Sequence, residues 1–183
     1  MMDYRGRLAV AALALIVTGC AHVLPLGPDA PPSPSRLAVP IILQVVLSQP
    51  PLPAGGCQAG YATLSAPGPD FPGVVGACYR KTGTPVSFTS AAVTLYLQPA
   101  GSEPVQHPTT WGLAITVPGA GAAALTAITT KSSDTQDPLA ISIAGTTWAV
   151  VTTGAPLTNG RFVFMTQSKN QALQLQRTLV PSD

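Results

Sequence analysis

Trp111-Gly-Leu-Ala-Ile-Thr-Val117, running on through Pro118-Gly-Ala-Gly-Ala122-Ala-Ala-Leu125-Thr-Ala-Ile128-Thr-Thr130, is the stretch that decides the fold. Its first part alternates large and small residues, the period of a half-buried strand. Pro118 then opens a helix, because proline is tolerated in a first turn where its missing amide is not needed. Ala122, Leu125 and Ile128 recur on one face to about Thr130. A strand feeding directly into a helix sets the frame for the rest of the chain.

Asp134 to Pro138 is a turn cluster, and Leu139-Ala-Ile-Ser-Ile143 is a second strand. Ala144-Gly145-Thr146 reverses the chain, and Thr147 to Thr152 returns as the partner strand. Asn159-Gly160 marks another turn before the strand Arg161-Phe-Val-Phe-Met165. Ser168 with Gln171 three residues on is a capping box. Ala172, Leu175 and Leu179 then share one helical face until Pro181. Strand, helix, three strands and helix predict an α+β fold. It is expected as a two-layer sandwich, an antiparallel or mixed sheet with both helices on one face, preceded by a disulfide-closed loop.

Upstream, Val39-Pro-Ile-Ile-Leu-Gln-Val-Val-Leu47 is β-branched and apolar and suits a strand, with Pro40 at its start or on an edge. Val86 to Phe88 and Ala92 to Leu97 read as two further short strands. Between them and the first strand lie Cys57 and Cys78. The segment they bracket is rich in glycine and proline and cannot order itself by burial. A disulfide is the simplest reading in an oxidising compartment, and closing a loop of about 20 residues stabilises by roughly 3 kcal/mol. A metal or redox site is the rival. It would need further ligands, and His22 and His107 show no pairing pattern with these cysteines.

The compartment is read from the first twenty residues. Arg5 and Arg7 precede the apolar run Leu8 to Val17, and Val17-Thr-Gly-Cys20 closes it as a lipobox. The apolar run is about half of the roughly 20 residues that span a bilayer. Residues 1–19 are therefore expected to be a lipoprotein signal peptide, and Cys20 the lipid attachment site. Two or more acyl chains hold a protein stably on a membrane. The proline-rich segment 20–37 reads as a stiff stalk, and 38–183 as a single domain.

The run from Trp111 to Leu179 resembles the head subdomain of the first large periplasmic region of SecD and SecDF, membrane proteins that assist Sec-dependent export. That family shows a tryptophan-led strand, a helix and a strand of the type Leu-Ala-Ile-x-Leu-Asp-Gly. A returning strand, a strand ending in Phe-Thr and a helix with Ala-x-x-Leu-x-x-x-Leu come next. The matching positions here are Trp111-Gly-Leu-Ala-Ile, Leu139-Ala-Ile-Ser-Ile-Ala-Gly145, Phe162-Val-Phe164, and Ala172 with Leu175 and Leu179. Ala144 stands where the family usually has Asp, and Val151 where it has Pro. The resemblance implies the fold, and a surface for extended or unfolded polypeptide. The family's transmembrane helices have no counterpart in the sequence, so proton-driven export is not implied.

Charged residues make up only 9% of the 183-residue chain, with a formal net charge of +2. No basic stripe suits nucleic acid. A Ser-His-Asp triad can be drawn only from His107 and Asp134 or Asp137, without a Gly-x-Ser-x-Gly turn to expose a nucleophile. The other carboxylates (Asp29, Asp70, Glu103, Asp183) are in loop-like or terminal contexts. Gly119-Ala-Gly121 lacks the lysine and the further glycine of a phosphate loop. Trp111 is expected in the core, and Trp148 in the core or as an edge anchor. The sequence thus predicts no enzyme, cofactor or metal. It predicts a lipid-anchored protein of the outer face of a cell membrane with a binding or accessory role in protein export or envelope assembly, touching extended polypeptide or envelope proteins. The alternative is a small-molecule-binding lipoprotein whose apolar pocket is lined by residues such as Trp148, Phe162 and Phe164.

Overall fold

A computed structural model describes residues 33–52, 55–67, 74, 76–98 and 110–181. The leader, Cys20, His22 and His107 lie outside the described residues. The elements run β1 (Ser35–Gln49), β2 (Cys78–Lys81), β3 (Val86–Gln98), β4 (Thr110–Thr116), α1 (Gly119–Thr135), β5 (Leu139–Ile143), β6 (Thr146–Val151), β7 (Arg161–Thr166) and α2 (Lys169–Leu179). The strands form a curled antiparallel sheet in the order β6-β5-β1-β3-β4-β7, with β2 added to β1. β1 begins at Ser35, inside the segment expected to be stalk, and Leu37 is already buried in the core.

Pro40 sits within β1 rather than at its start. Arg36 pairs with Ser90, but the next registered pair is Ile41 with Phe88, so the strands slip past one another around Pro40. A residue without an amide donor fits a strand interior only at such an irregularity. The two short strands expected at 86–97 are one strand, β3. Its first half pairs with β1, up to Ala91 opposite Ser35. Its second half pairs with β4, from Ala92 opposite Thr116 to Gln98 opposite Thr110. The partner changes at Ala91 and Ala92, both buried, where small side chains let the sheet curl.

One face of the sheet carries the main core. Ile41 and Leu43 of β1, Ile141 of β5 and Phe164 of β7 join Leu125 and Ile128 of α1 and Leu175 and Leu179 of α2 in a single cluster. Burying each such side chain is worth about 1.5–3 kcal/mol. The opposite face carries a smaller cluster, Val46, Tyr79 and Ala140, packed with Leu64, Ala77 and Val150. Leu64 and Ala77 belong to the segment between the cysteines. That segment therefore packs on the sheet instead of preceding it as a separate loop. The Cys57–Cys78 disulfide closes it, with the two Cα atoms 5.5 Å apart. Ala62 and Tyr79 exchange amide–carbonyl bonds of 2.9 and 2.8 Å across it.

Helix α1 extends past Thr130 to Thr135. Its threonine-rich end is a poor helix former, but four of its hydroxyls bond back one turn, Thr135 to the Lys131 carbonyl at 2.9 Å among them. Thr126 donates to the Ala122 carbonyl at 3.0 Å, Thr129 to Leu125 at 2.7 Å and Thr130 to Thr126 at 2.8 Å. The helix stops at Gln136, in the left-handed region with φ 58°. Helix α2 starts with half of the capping box, the reciprocal bond reaching back to Gln167 instead of to the Ser168 amide. The Ser168 hydroxyl accepts the Gln171 amide at 3.2 Å, and the Gln171 side chain accepts the Gln167 amide at 2.9 Å.

Candidate ligand cavity between the sheet edges

β6 and β7 are the two ends of the strand order, yet the curl of the sheet brings them to the same cavity. The cavity measures about 410 Å³. Ala149 and Val151 of β6 line one side, and Phe162 to Met165 of β7 the other. Leu43, Leu139 and Ile141 form the floor, and Leu125 and Thr129 of α1 close the end. Most of these are core residues, so the cavity opens from the hydrophobic core toward the seam between the edges.

The connection 152–157 forms the mouth. Thr152, Gly154, Ala155 and Pro156 are exposed, whereas Thr153 and Leu157 turn partly inward. The connection is tied to α1 by three hydrogen bonds. The Leu157 amide donates to the Thr129 hydroxyl at 2.9 Å, the Thr126 hydroxyl shares its one proton between the Ala122 carbonyl and the Leu157 carbonyl at 2.9 Å, and the Thr153 hydroxyl donates to the Thr129 carbonyl at 3.2 Å. Thr129 is 1% exposed, and its hydroxyl is engaged with both Leu125 and Leu157. A buried hydroxyl held on both sides is a firm anchor, because leaving one partner unmade costs about 1–3 kcal/mol.

Phe162 and Phe164 line the cavity, and so do Val163 and Met165, so this stretch of β7 meets it along its length rather than through one alternating face. Trp148 does not line it. The pairing of β5 with β6 shifts between Ile141–Ala149 and Ser142–Thr147, so Trp148 is the extra residue of a bulge. It packs, partly buried, against the main cluster. Trp111 is also only partly buried, and the Lys169 ammonium lies 4.9 Å from its ring centroid. It stands second in β4, paired with Leu97 of β3 and Thr166 of β7, rather than mid-strand as a core position would be. Asp134, expected in a turn, is exposed in the last turn of α1, and the turn itself starts at Gln136, with Asp137 half-buried in it. Among the described residues no group of three or more His, Cys, Asp or Glu is placed to hold a metal. None of the described helices is long and apolar enough to cross a membrane.

No protein-family model matches this chain, and no curated protein or solved structure is significantly similar to it.

The cavity's chemistry is accordingly read from its own walls. Among the described residues that form them, none is charged. Ligand sites of this size, within the usual range of about 300–1,000 Å³, hold small molecules by apolar contact and a few polar groups. The sequence did not disclose Thr126, Thr129 or Met165 as part of a site. The only local sign is that Thr129 falls one turn after Leu125, on the buried face of α1.

Proposed function

We propose that this chain is a non-enzymatic binding protein held on the outer face of a cell membrane by lipid on Cys20. Its ligand is a small apolar molecule taken into the cavity between β6 and β7. The observation that carries this reading is the uncharged cavity of about 410 Å³ reaching into the core beneath the 152–157 connection. We read the helical layer over the curled sheet as a two-layer frame for that cavity. Titrating the purified chain with an environment-sensitive apolar fluorophore such as N-phenylnaphthylamine tests it. Saturable binding, weakened by Ala149→Phe at the wall, is expected, and the absence of saturable binding overturns the reading. For the anchor, a labelled fatty acid should enter the natural chain and not Cys20→Ala.

A second reading has its own support. β6 and β7 are open ends of the sheet, and an edge strand can pair with an extended polypeptide through its backbone. Together with the resemblance to the SecD head, this favours a role in protein export or envelope assembly. The start of the β6 edge is already engaged, since the Thr147 amide donates to the Ser65 carbonyl at 2.6 Å. Crosslinking and capture from membranes, compared between the natural chain and Val150→Pro, tests this reading. Capture of one envelope protein that the substitution abolishes supports it.

A further inference from the structure

We infer that the cavity's ligand is an aliphatic acyl chain, bound tail-inward with its polar end at residues 152–156. This rests on the proposed function and names the ligand class. Three observations lead to it. The first is the lack of polar groups available inside. Of the side chains lining the cavity, the only hydrogen-bonding ones among the described residues are three threonines, 129, 152 and 153. The Thr129 hydroxyl is engaged with Leu125 and Leu157, and the Thr153 hydroxyl with the Thr129 carbonyl. A heterocycle or sugar would bury donors and acceptors with only the edge backbone and the exposed Thr152 hydroxyl to meet them, and each one left unmet is costly. A hydrocarbon chain buries none.

The second observation is direction. The wall follows β7 from Phe162 to Met165. At about 3.3 Å per residue that is roughly 10 Å of slot along the strand, longer than a compact ring needs. The third is the distribution of exposure. The exposed lining residues, Thr152 and Gly154 to Pro156, are all in one connection, so the cavity has a solvent-facing end and an apolar end. A charged or polar head belongs at the first and a methyl terminus at the second. Met165, unbranched and adaptable, lets the slot take chains of differing shape.

The test uses the full chain carrying Cys20→Ala, so that no attached acyl group competes, with N-phenylnaphthylamine as the displaced probe. Octanoic and dodecanoic acids are expected to displace it with increasing strength, with little further gain for palmitic acid, whose extended chain exceeds a slot of roughly 10 Å. Ala149→Phe should weaken palmitic acid by about tenfold or more, a loss of roughly 1.4 kcal/mol, with circular dichroism checking its fold. Thr152→Asp, at an exposed position, should weaken palmitic acid more than cetyl alcohol, because the carboxylate would meet a like charge. Displacement by lysophosphatidylcholine as well as palmitic acid points to a lipid tail as the ligand, and displacement by palmitic acid alone to a free fatty acid; either supports the inference. Probe binding that no acyl chain displaces, or acyl binding insensitive to both substitutions, overturns it while leaving an apolar ligand in place. If neither probe nor acyl chain binds, the proposed function falls with it.

Discussion

The carbonyl of Ser65 accepts the amide of Thr147 at 2.6 Å, so the cystine-closed segment covers the outer edge of β6 where that strand begins. An uncovered sheet edge invites pairing with other chains. Here the cover is tethered at one end by the Cys57–Cys78 bond and pinned on the sheet by Leu64.

Replacing both cysteines by serine should therefore do two things. Global stability should fall by about 2–5 kcal/mol, the usual cost of losing a native disulfide. In hydrogen exchange, the Thr147 amide should lose protection before the amides of β5, which are flanked by strands on both sides. Chemical denaturation and exchange by NMR would show it, and equal loss at Thr147 and Ile141 would contradict the local tether.

Thr129→Val keeps the side-chain shape but removes the hydroxyl that receives the Leu157 amide. We expect a loss of about 1–3 kcal/mol, together with faster exchange of the amides in 152–157. Unchanged exchange there would mean that the connection is held by packing alone.

Gly160 adopts φ 69°, and a Cβ added there would lie 2.7 Å from the Val117 carbonyl oxygen and 2.8 Å from the Ala122 Cβ. Those neighbours are fixed, since the Val117 amide donates to the Gly160 carbonyl at 2.8 Å. Gly160→Ala combines left-handed strain with a backbone clash and should cost about 2–3 kcal/mol. A thermal melt within error of the natural chain would refute it.

Ala144 holds φ 51° beside Gly145 at 77° in the β5–β6 turn. Asn and Asp tolerate that conformation better than Ala. Ala144→Asn should stabilise by about 0.5–1 kcal/mol, read as a raised denaturation midpoint with unchanged slope.

Burial pushes the Tyr79 phenol above its ordinary value of 10.0. The buried neutral form is favoured, so the unfolded chain releases this proton first as pH rises. The associated stability is complete below pH 10.0 and is lost as pH climbs through the folded-state value. Tyr79→Phe should flatten that alkaline decline, and an unchanged slope would rule out Tyr79 as its source.

The sequence disclosed elements whose signals are local. Leu139 to Ile143 stands as expected, and the Ser168 side chain caps α2 on the Gln171 amide as its spacing requires. It failed where the structure depends on partners distant in the chain. Thr89-Ser-Ala91 carries no strand signature, yet it is continuous strand because β1 pairs with β3 as far as Ala91 and β4 takes over from Ala92. Cys78-Tyr-Arg-Lys81 is strand only because β1 lies beside it. Phe162 and Phe164 are legible as large apolar candidates for a cavity wall, but no alternation adds Val163 and Met165 beside them, and the bulge that turns Trp148 aside leaves no mark in composition. The Thr129–Leu157 bond joins a helix to a distant loop and has no sequence pattern at all.

β1 pairs through Ile41 with Ile143 and through Leu43 with Ile141, and on its other side through Ile41 with Phe88. A chain made from its N-terminus completes these contacts in a set order. β3 can join β1 early, and the disulfide can close soon after Cys78 emerges, but β5 arrives much later. Until it does, Ile41, Leu43 and Val45 stand in a strand with one bare side, the state most exposed to misassociation. Among the described strands, the one at the centre of the sheet is the first to be synthesised and the one that waits longest for its neighbours. Its assembly is timed by residue 143, so a truncation or a stall just short of that point would release a chain with its middle strand half paired.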